Sequence, residues 1–155
     1  MEKARGELVS MLIKYRAVKK HDITLVFDGY RNGAGKENVS VTGGVRVIYS
    51  RLGERADDVI KRIVSGERRE WIVVTSDRDI ANHAWASGSI PVPSERFYEI
   101  VSRAVKPEGS ESADNEEGFY DMPFKDDSEL PGHQKGRSHM PSRKEKAVLK
   151  VLSRL

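Results

Sequence analysis

The chain has 155 residues and a mass of 17.4 kDa; 33% of it is charged, 37% is hydrophobic, and the mean hydropathy is −0.59. That size suits one domain with an extension rather than two domains. There is no cysteine, which excludes disulfides, cysteine nucleophiles and thiolate metal sites.

No apolar run approaches the about 18–20 residues of a membrane span. The opening MEKARGELVS lacks the apolar stretch of a secretory signal. A soluble, cytosolic protein with no membrane partner is expected. The formal charge of +3 hides an asymmetry. Residues 1–107 carry 19 Lys/Arg and 14 Asp/Glu, residues 108–130 one Lys and nine acids, and residues 131–155 seven Lys/Arg and one Glu. An acidic block followed by a basic one reads as a tail, because like charges repel and leave little to bury. Such a tail is a solvated linker, an intramolecular clamp or a basic arm for nucleic acid.

In chain order, residues 4–19 read as an amphipathic helix, with Ala4, Leu8, Met11, Leu12, Tyr15 and Val18 recurring at three and four. Residues 23–27 form a short buried strand closing on the turn pair Asp28-Gly29. Residues 31–36 (RNGAGK) are a loop, residues 39–41 a short strand or loop edge, and residues 45–49 (VRVIY) a strand. A helix follows over about 56–64 with Val59, Ile60 and Ile63 inward. Residues 71–75 (WIVVT) are the most strand-like run. Ser76 is expected to cap a helix over about 77–87. A strand over 90–92 and a helix over about 95–105, capped by Ser94, complete the domain, residues 1–105. Residues 106–141 are expected to be a disordered acidic-to-basic linker, and residues 142–155 a basic helix. There is no internal repeat.

Helices alternating with continuously apolar strands predict an α/β fold with a mainly parallel sheet. In such sheets the functional crevice lies beyond the carboxyl ends of the strands. The acids stand there. Asp28 ends one strand and Asp77 another, with Asp79 two residues on. Glu54, Asp57 and Asp58 occupy the loop and first helical turn after a third. Carboxylates forced together need a counter-cation to stay ionised. Mg²⁺ or Mn²⁺ suits them, because hard cations take oxygen ligands. An ion so held can activate water and clamp a phosphate.

Each acid also has a plain structural explanation. Asp57 and Asp58 suit the first turn of a helix, and pair at i, i+4 with Lys61 and Arg62. Ser76 and Asp79 have the spacing of a capping box. Asp28-Gly29 is turn chemistry. The four histidines, His21, His83, His133 and His139, lack zinc spacing. Gly33, Gly35 and Lys36 resemble half of a phosphate loop, without its GxxxxGK[ST] spacing.

VFDG (residues 26–29), GERADDVI (residues 53–60) and VVTSDRDI (residues 73–80), in this order, resemble the YacP-like NYN domains of the PIN-like nuclease superfamily. The resemblance covers about residues 3–105. It implies a three-layer α/β/α sandwich and metal-dependent endoribonuclease activity, in some members at the ribosome. By motif it implies Asp28, Asp57 and Asp77 as catalytic residues. It implies Asp77, Asp57, Glu54, Asp58 and Asp79 as ligands of Mg²⁺ or Mn²⁺. Arg55 and Arg78 are candidates for phosphate contact or for surface ion pairs. The basic residues Lys135, Arg137, Arg143, Lys144 and Lys146 are candidates for RNA contact.

One departure stands out. Family members open with a central strand ending in Asp-Gly-Tyr-Asn, upstream of the first helix. This chain starts directly in the helix, so the first strand and its Asp are expected to be missing. Asp28-Gly29-Tyr30 follows the helix and matches a later strand. The loss of a central strand would leave two interior sheet edges unpaired.

Three functions follow. The first is a metal-dependent endoribonuclease. The second is a catalytically weak or inactive module that binds RNA or the ribosome. The third, a haloacid-dehalogenase-type phosphatase, fails because Tyr30 stands where its second Asp is needed.

Overall fold

The first helix, α1 (Glu2–Lys19), buries Leu12 and Tyr15 from its apolar stripe. It ends where Lys20 adopts φ +58°, with the Lys20 N–H bonded to the Arg16 carbonyl at 2.7 Å. A left-handed residue at this position is the usual helix stop. The structure, a computed structural model, describes residues 2–29, 35–106 and 141–155. Among the described residues it contains β1 (Thr24–Phe27), β2 (Asn38–Thr42), β3 (Val45–Tyr49), α2 (Ala56–Gly66) and β4 (Ile72–Val74). Then come α3 (Arg78–Ala86), β5 (Ile90–Val92), α4 (Ser94–Val105) and α5 (Arg143–Leu152).

The strands form two small sheets. One has the order β1-β3-β2, and the other pairs β4 with β5. β1 runs parallel to β3, and β4 parallel to β5, whereas β2 lies antiparallel on β3. The α/β class is as expected. A single, mainly parallel sheet is not seen among the described residues. The antiparallel member arises from Gly43-Gly44, both at positive φ, which make the two-residue turn that suits a right-twisted hairpin.

Odd-numbered side chains of β1 and β3 (Leu25, Phe27, Val45, Val47) pack with Leu12 and Tyr15 of α1 and Val101 of α4. Val73 of β4 instead packs with Val64 of α2 and with Ile80 and Ala84 of α3. The last helix joins this core. Val151 and Leu155 pack on Val92 of β5, and Tyr15 Oη donates a buried 2.6 Å hydrogen bond to the Leu155 carbonyl. α5 begins with a capping box between Ser142 and Glu145.

Three local expectations are corrected. Ser76 does not cap α3. Asp77 does, its carboxylate accepting from the N–H groups of Asp79 and Ile80. Its extended backbone at the N-cap position places the Asp77 carboxylate over the first turn. Ser94 lies within α4 behind Pro93, whose fixed φ starts the helix without a side-chain cap. Lys61 and Arg62 pair with other residues than Asp57 and Asp58, as described below.

Candidate active site at the strand ends

Asp28 leaves β1 and reaches α2. Its Oδ1 accepts a 2.7 Å hydrogen bond from the backbone N–H of Ala56, the first residue of that helix. Arg55, the N-cap residue, makes no side-chain cap itself. Asp28 thus caps α2 from another element, where the helix dipole favours a negative charge. The buried Ser50 braces the junction. Its Oγ accepts from the Gly29 N–H at 3.0 Å and donates to the Glu54 carbonyl at 2.7 Å. A Cβ on Gly29 would lie 1.7 Å from the Ser50 carbonyl oxygen, so only glycine permits this approach.

Asp77 does the same for α3. Its Oδ1 accepts from Asp79 N–H at 2.8 Å and Ile80 N–H at 3.2 Å, and its own N–H donates to Thr75 Oγ1 at 3.1 Å. The second oxygen of Asp28 and of Asp77 has no hydrogen bond among the described residues.

Glu54, Asp57 and Asp79 are paired with cations. Asp57 bridges Arg55 at 2.9 Å. Glu54 lies 3.4 Å from both Arg51 and Arg62, and Arg62 also bridges Glu37. Lys61 bridges Asp79, so α2 is tied to α3. One helical turn on, Ser65 Oγ and His83 Nε2 share a 2.7 Å hydrogen bond. The i, i+4 pairs Asp57–Lys61 and Asp58–Arg62 therefore do not form. Partners from other segments reach these cations first.

The Asp79 bond holds the Lys61 ammonium above its ordinary pKa, with further help from the charges of Asp79, Asp58 and Asp57. Asp79 is held below the ordinary carboxylate value, first by the Lys61 hydrogen bond. Lys61 thus sits in the field of three of the acids singled out in the sequence. Asp58 and Glu54 line a shallow polar cavity of about 610 Å³ with Gly35, Arg51, Leu52 and Gly53.

A contact chain runs from Asp28 through the first turn of α2 and Lys61 to Asp79 and Asp77. The donor chemistry, all oxygen with two carboxylates steered by N–H bonds and open at one oxygen, suits a hard divalent ion. The number does not. Among the described residues no three His, Cys, Asp or Glu side chains are grouped to hold a metal.

Of the cations, Arg55 is spent on Asp57. Arg78 opens α3 beside Asp77. Arg143, Lys144 and Lys146 stand exposed on α5, whose other face is in the core. Lys135, Arg137, His133, His139 and Gly33 lie outside the described residues. Ser50, Lys61 and Arg62 were not singled out as site residues, since a lone serine and two helical cations carry no motif. No described helix is long and apolar enough to cross a membrane.

The family model for the YacP-like NYN domain matches residues 1–128. No curated protein and no solved structure matches the chain.

Proposed function

This chain belongs to the YacP-like NYN domain family, and from that premise we propose that it is a divalent-metal-dependent endoribonuclease. The observation that carries the reading is the contact chain of acids just described, at the carboxyl ends of β1 and β4 and the N-termini of α2 and α3. Such a crevice is where open α/β sheets place their ligands.

Asp28, Asp57 and Asp77, with Glu54, Asp58 and Asp79 beside them, would hold Mg²⁺ or Mn²⁺. The ion would supply positive charge against a phosphodiester and lower the pKa of a water. The chain's own cations then act on the substrate. Arg51, Arg55, Arg62 and Arg78 flank the acids and would contact phosphates of the RNA backbone. An incoming phosphate competes with Asp57 for Arg55, which frees that carboxylate. Arg143, Lys144 and Lys146 extend the basic surface along α5, and with it the salt dependence of binding. The ribosome is the larger RNA partner this reading allows.

The test is cleavage of single-stranded RNA with Mn²⁺, Mg²⁺ or EDTA, in the full chain and in Asp77→Asn. Metal-dependent cleavage that vanishes in the variant is expected. The second reading, an RNA-binding module without cleavage, is favoured by one observation, that no three acids are grouped for a metal among the described residues. It predicts salt-sensitive RNA binding that EDTA leaves unchanged and that Asp77→Asn does not weaken.

A further inference from the structure

β2 is the outer strand of its sheet, and all five of its residues are exposed. Val41 is 70% exposed and Val39 46%. An open strand edge is a template for another strand, and proteins commonly guard it with charge, proline or a bulge. β2 (NVSVT) has none of these. It is uncharged, and it pairs residue for residue with β3.

The hydrogen bonds of β3 fix which backbone groups of β2 are free. The N–H groups of Arg46 and Ser50 donate to the Ile23 and Phe27 carbonyls on the β1 side. Backbone groups alternate in direction along a strand, so those of Val45, Val47 and Tyr49 face β2. Their partners are Thr42, Ser40 and Asn38. The N–H and C=O of Val39 and Val41 therefore point away from β3. The two exposed valines are thus also the residues whose backbone groups the sheet leaves unpaired. Their side chains share one face of the strand, and Asn38, Ser40 and Thr42 share the other.

We propose that this edge pairs with the β2 edge of a second copy of the chain, antiparallel about a twofold axis at Ser40. Val39 then stands opposite Val41 of the second copy, and Val41 opposite its Val39. Each of these pairs exchanges both backbone bonds, and the patch is self-complementary, as a twofold contact requires. On one face the valines meet as cross-strand β-branched pairs. On the other, Ser40 meets its own copy, and Asn38 meets Thr42. The charges at the two ends also fit. Glu37 precedes the strand, and the exposed Arg46 stands opposite Val41 near its other end. An antiparallel pairing brings the Arg46 end of each copy to the Glu37 end of the other. A parallel pairing would set like charges side by side. Five residues a side is small against the about 20–30 of a standard interface. The dimer is therefore weak and grows with protein concentration. The contact needs neither the acids nor RNA.

The full chain is followed by sedimentation from about 10 μM to about 1 mM. The mean mass is expected to rise from 17.4 kDa toward twice that value, and the Val39 and Val41 amides should exchange more slowly as it does. Val41→Lys, or Val39→Lys should the first not fold, should hold the chain at the monomer mass. The register has its own test. Residues facing each other between hydrogen-bonded pairs have Cα atoms about 4.5 Å apart, a spacing a disulfide accepts. The chain has no cysteine, so an introduced one reports on this contact alone. Ser40→Cys should oxidise to a covalent dimer about tenfold or more faster than Thr42→Cys, which would face Asn38 of the second copy. A chain that stays monomeric at about 1 mM overturns the proposal, as does a dimer that survives both lysine variants. Equal oxidation of the two cysteine variants overturns it too. So does protection of the Val39 and Val41 amides in the monomer, which would place another segment of the same chain on the edge.

Discussion

Asp28 and Ala56 are joined by a 2.7 Å hydrogen bond, from the helix N-terminal N–H to the carboxylate that ends β1. The bond gives one residue two duties, a cap for α2 and a carboxylate with one open oxygen. The duties separate by substitution. Asn keeps an acceptor of similar shape and loses the charge, whereas Ala loses both. Asp28→Asn should change stability little and lower RNA cleavage about 100-fold or more. Asp28→Ala should in addition cost about 1 kcal/mol of unfolding free energy. Urea denaturation beside the cleavage assay reads both.

Asp77 gives the same split from α3. As an N-cap, Asn is nearly as good as Asp, so Asp77→Asn should fold within a few tenths of a kcal/mol of the parent. Its loss of cleavage would then report chemistry alone. Asp77→Ala should lose about 1 kcal/mol, because the N–H groups of Asp79 and Ile80 lose their acceptor. A cleavage rate of Asp77→Asn equal to the parent's would sink the catalytic assignment.

Gly29 is predicted to be irreplaceable. Its Cβ position lies 1.7 Å from the Ser50 carbonyl oxygen, a backbone atom that cannot rotate away. Gly29→Ala should push β1 from the loop after β3 and destabilise the fold by about 1–3 kcal/mol. Gly53 has open space around its Cβ position, but its φ of +84° strains a side chain there. Gly53→Ala should therefore cost less than Gly29→Ala, and comparing their thermal midpoints checks the order.

Most elements were legible in the sequence because their apolar periods were clean. α1, α2 and β3 fall within two residues of the pattern. The hairpin of β2 on β3 was harder, since all five residues of β2 are exposed and carry no burial signal. Its real marker was Gly43-Gly44. The division into two sheets could not be read from strand patterns, which show what a strand buries and not what it pairs with. The acids were legible as a set, from their positions after strands. Their partners were not, because Lys61–Asp79 and Asp28–Ala56 join residues 18 and 28 apart. The basic last helix was legible as a helix, but its charge left open whether it is solvated, clamped or an arm, and its apolar positions Val148 and Val151 are buried.

Lys61 and Asp79 make a surface clamp whose pH window follows from the shifts. Asp79 titrates below its ordinary 3.8 in the folded chain. Its contribution is present above that value and is lost as pH falls through the folded pKa. Lys61 titrates above 10.5. Its contribution is present below that value and is lost as pH rises through the folded pKa. Between these limits the clamp is intact, and salt screens it because both groups are at the surface. Lys61→Met should lower the salt dependence of stability by the part this pair contributes, while the other surface pairs keep theirs. It should also loosen α3 against α2, seen as faster exchange in the first turn of α3.

Tyr15 ties α1 to the far end of the chain through its bond to the Leu155 carbonyl, 140 residues away. Tyr15→Phe keeps the ring against Phe97 and removes only the donor. A buried carbonyl without its donor costs about 1–3 kcal/mol. Burial raises the Tyr15 pKa above its ordinary 10.0. The unfolded chain therefore loses this proton first as pH rises. Stability from Tyr15 is complete below about pH 10 and falls as pH climbs toward the folded value. Urea midpoints at about pH 8 and about pH 11 should accordingly converge for the parent and Tyr15→Phe, since lysine titration is common to both and cancels. A gap that stays constant with pH would mean that the hydroxyl is solvated and the latch to Leu155 is open in solution.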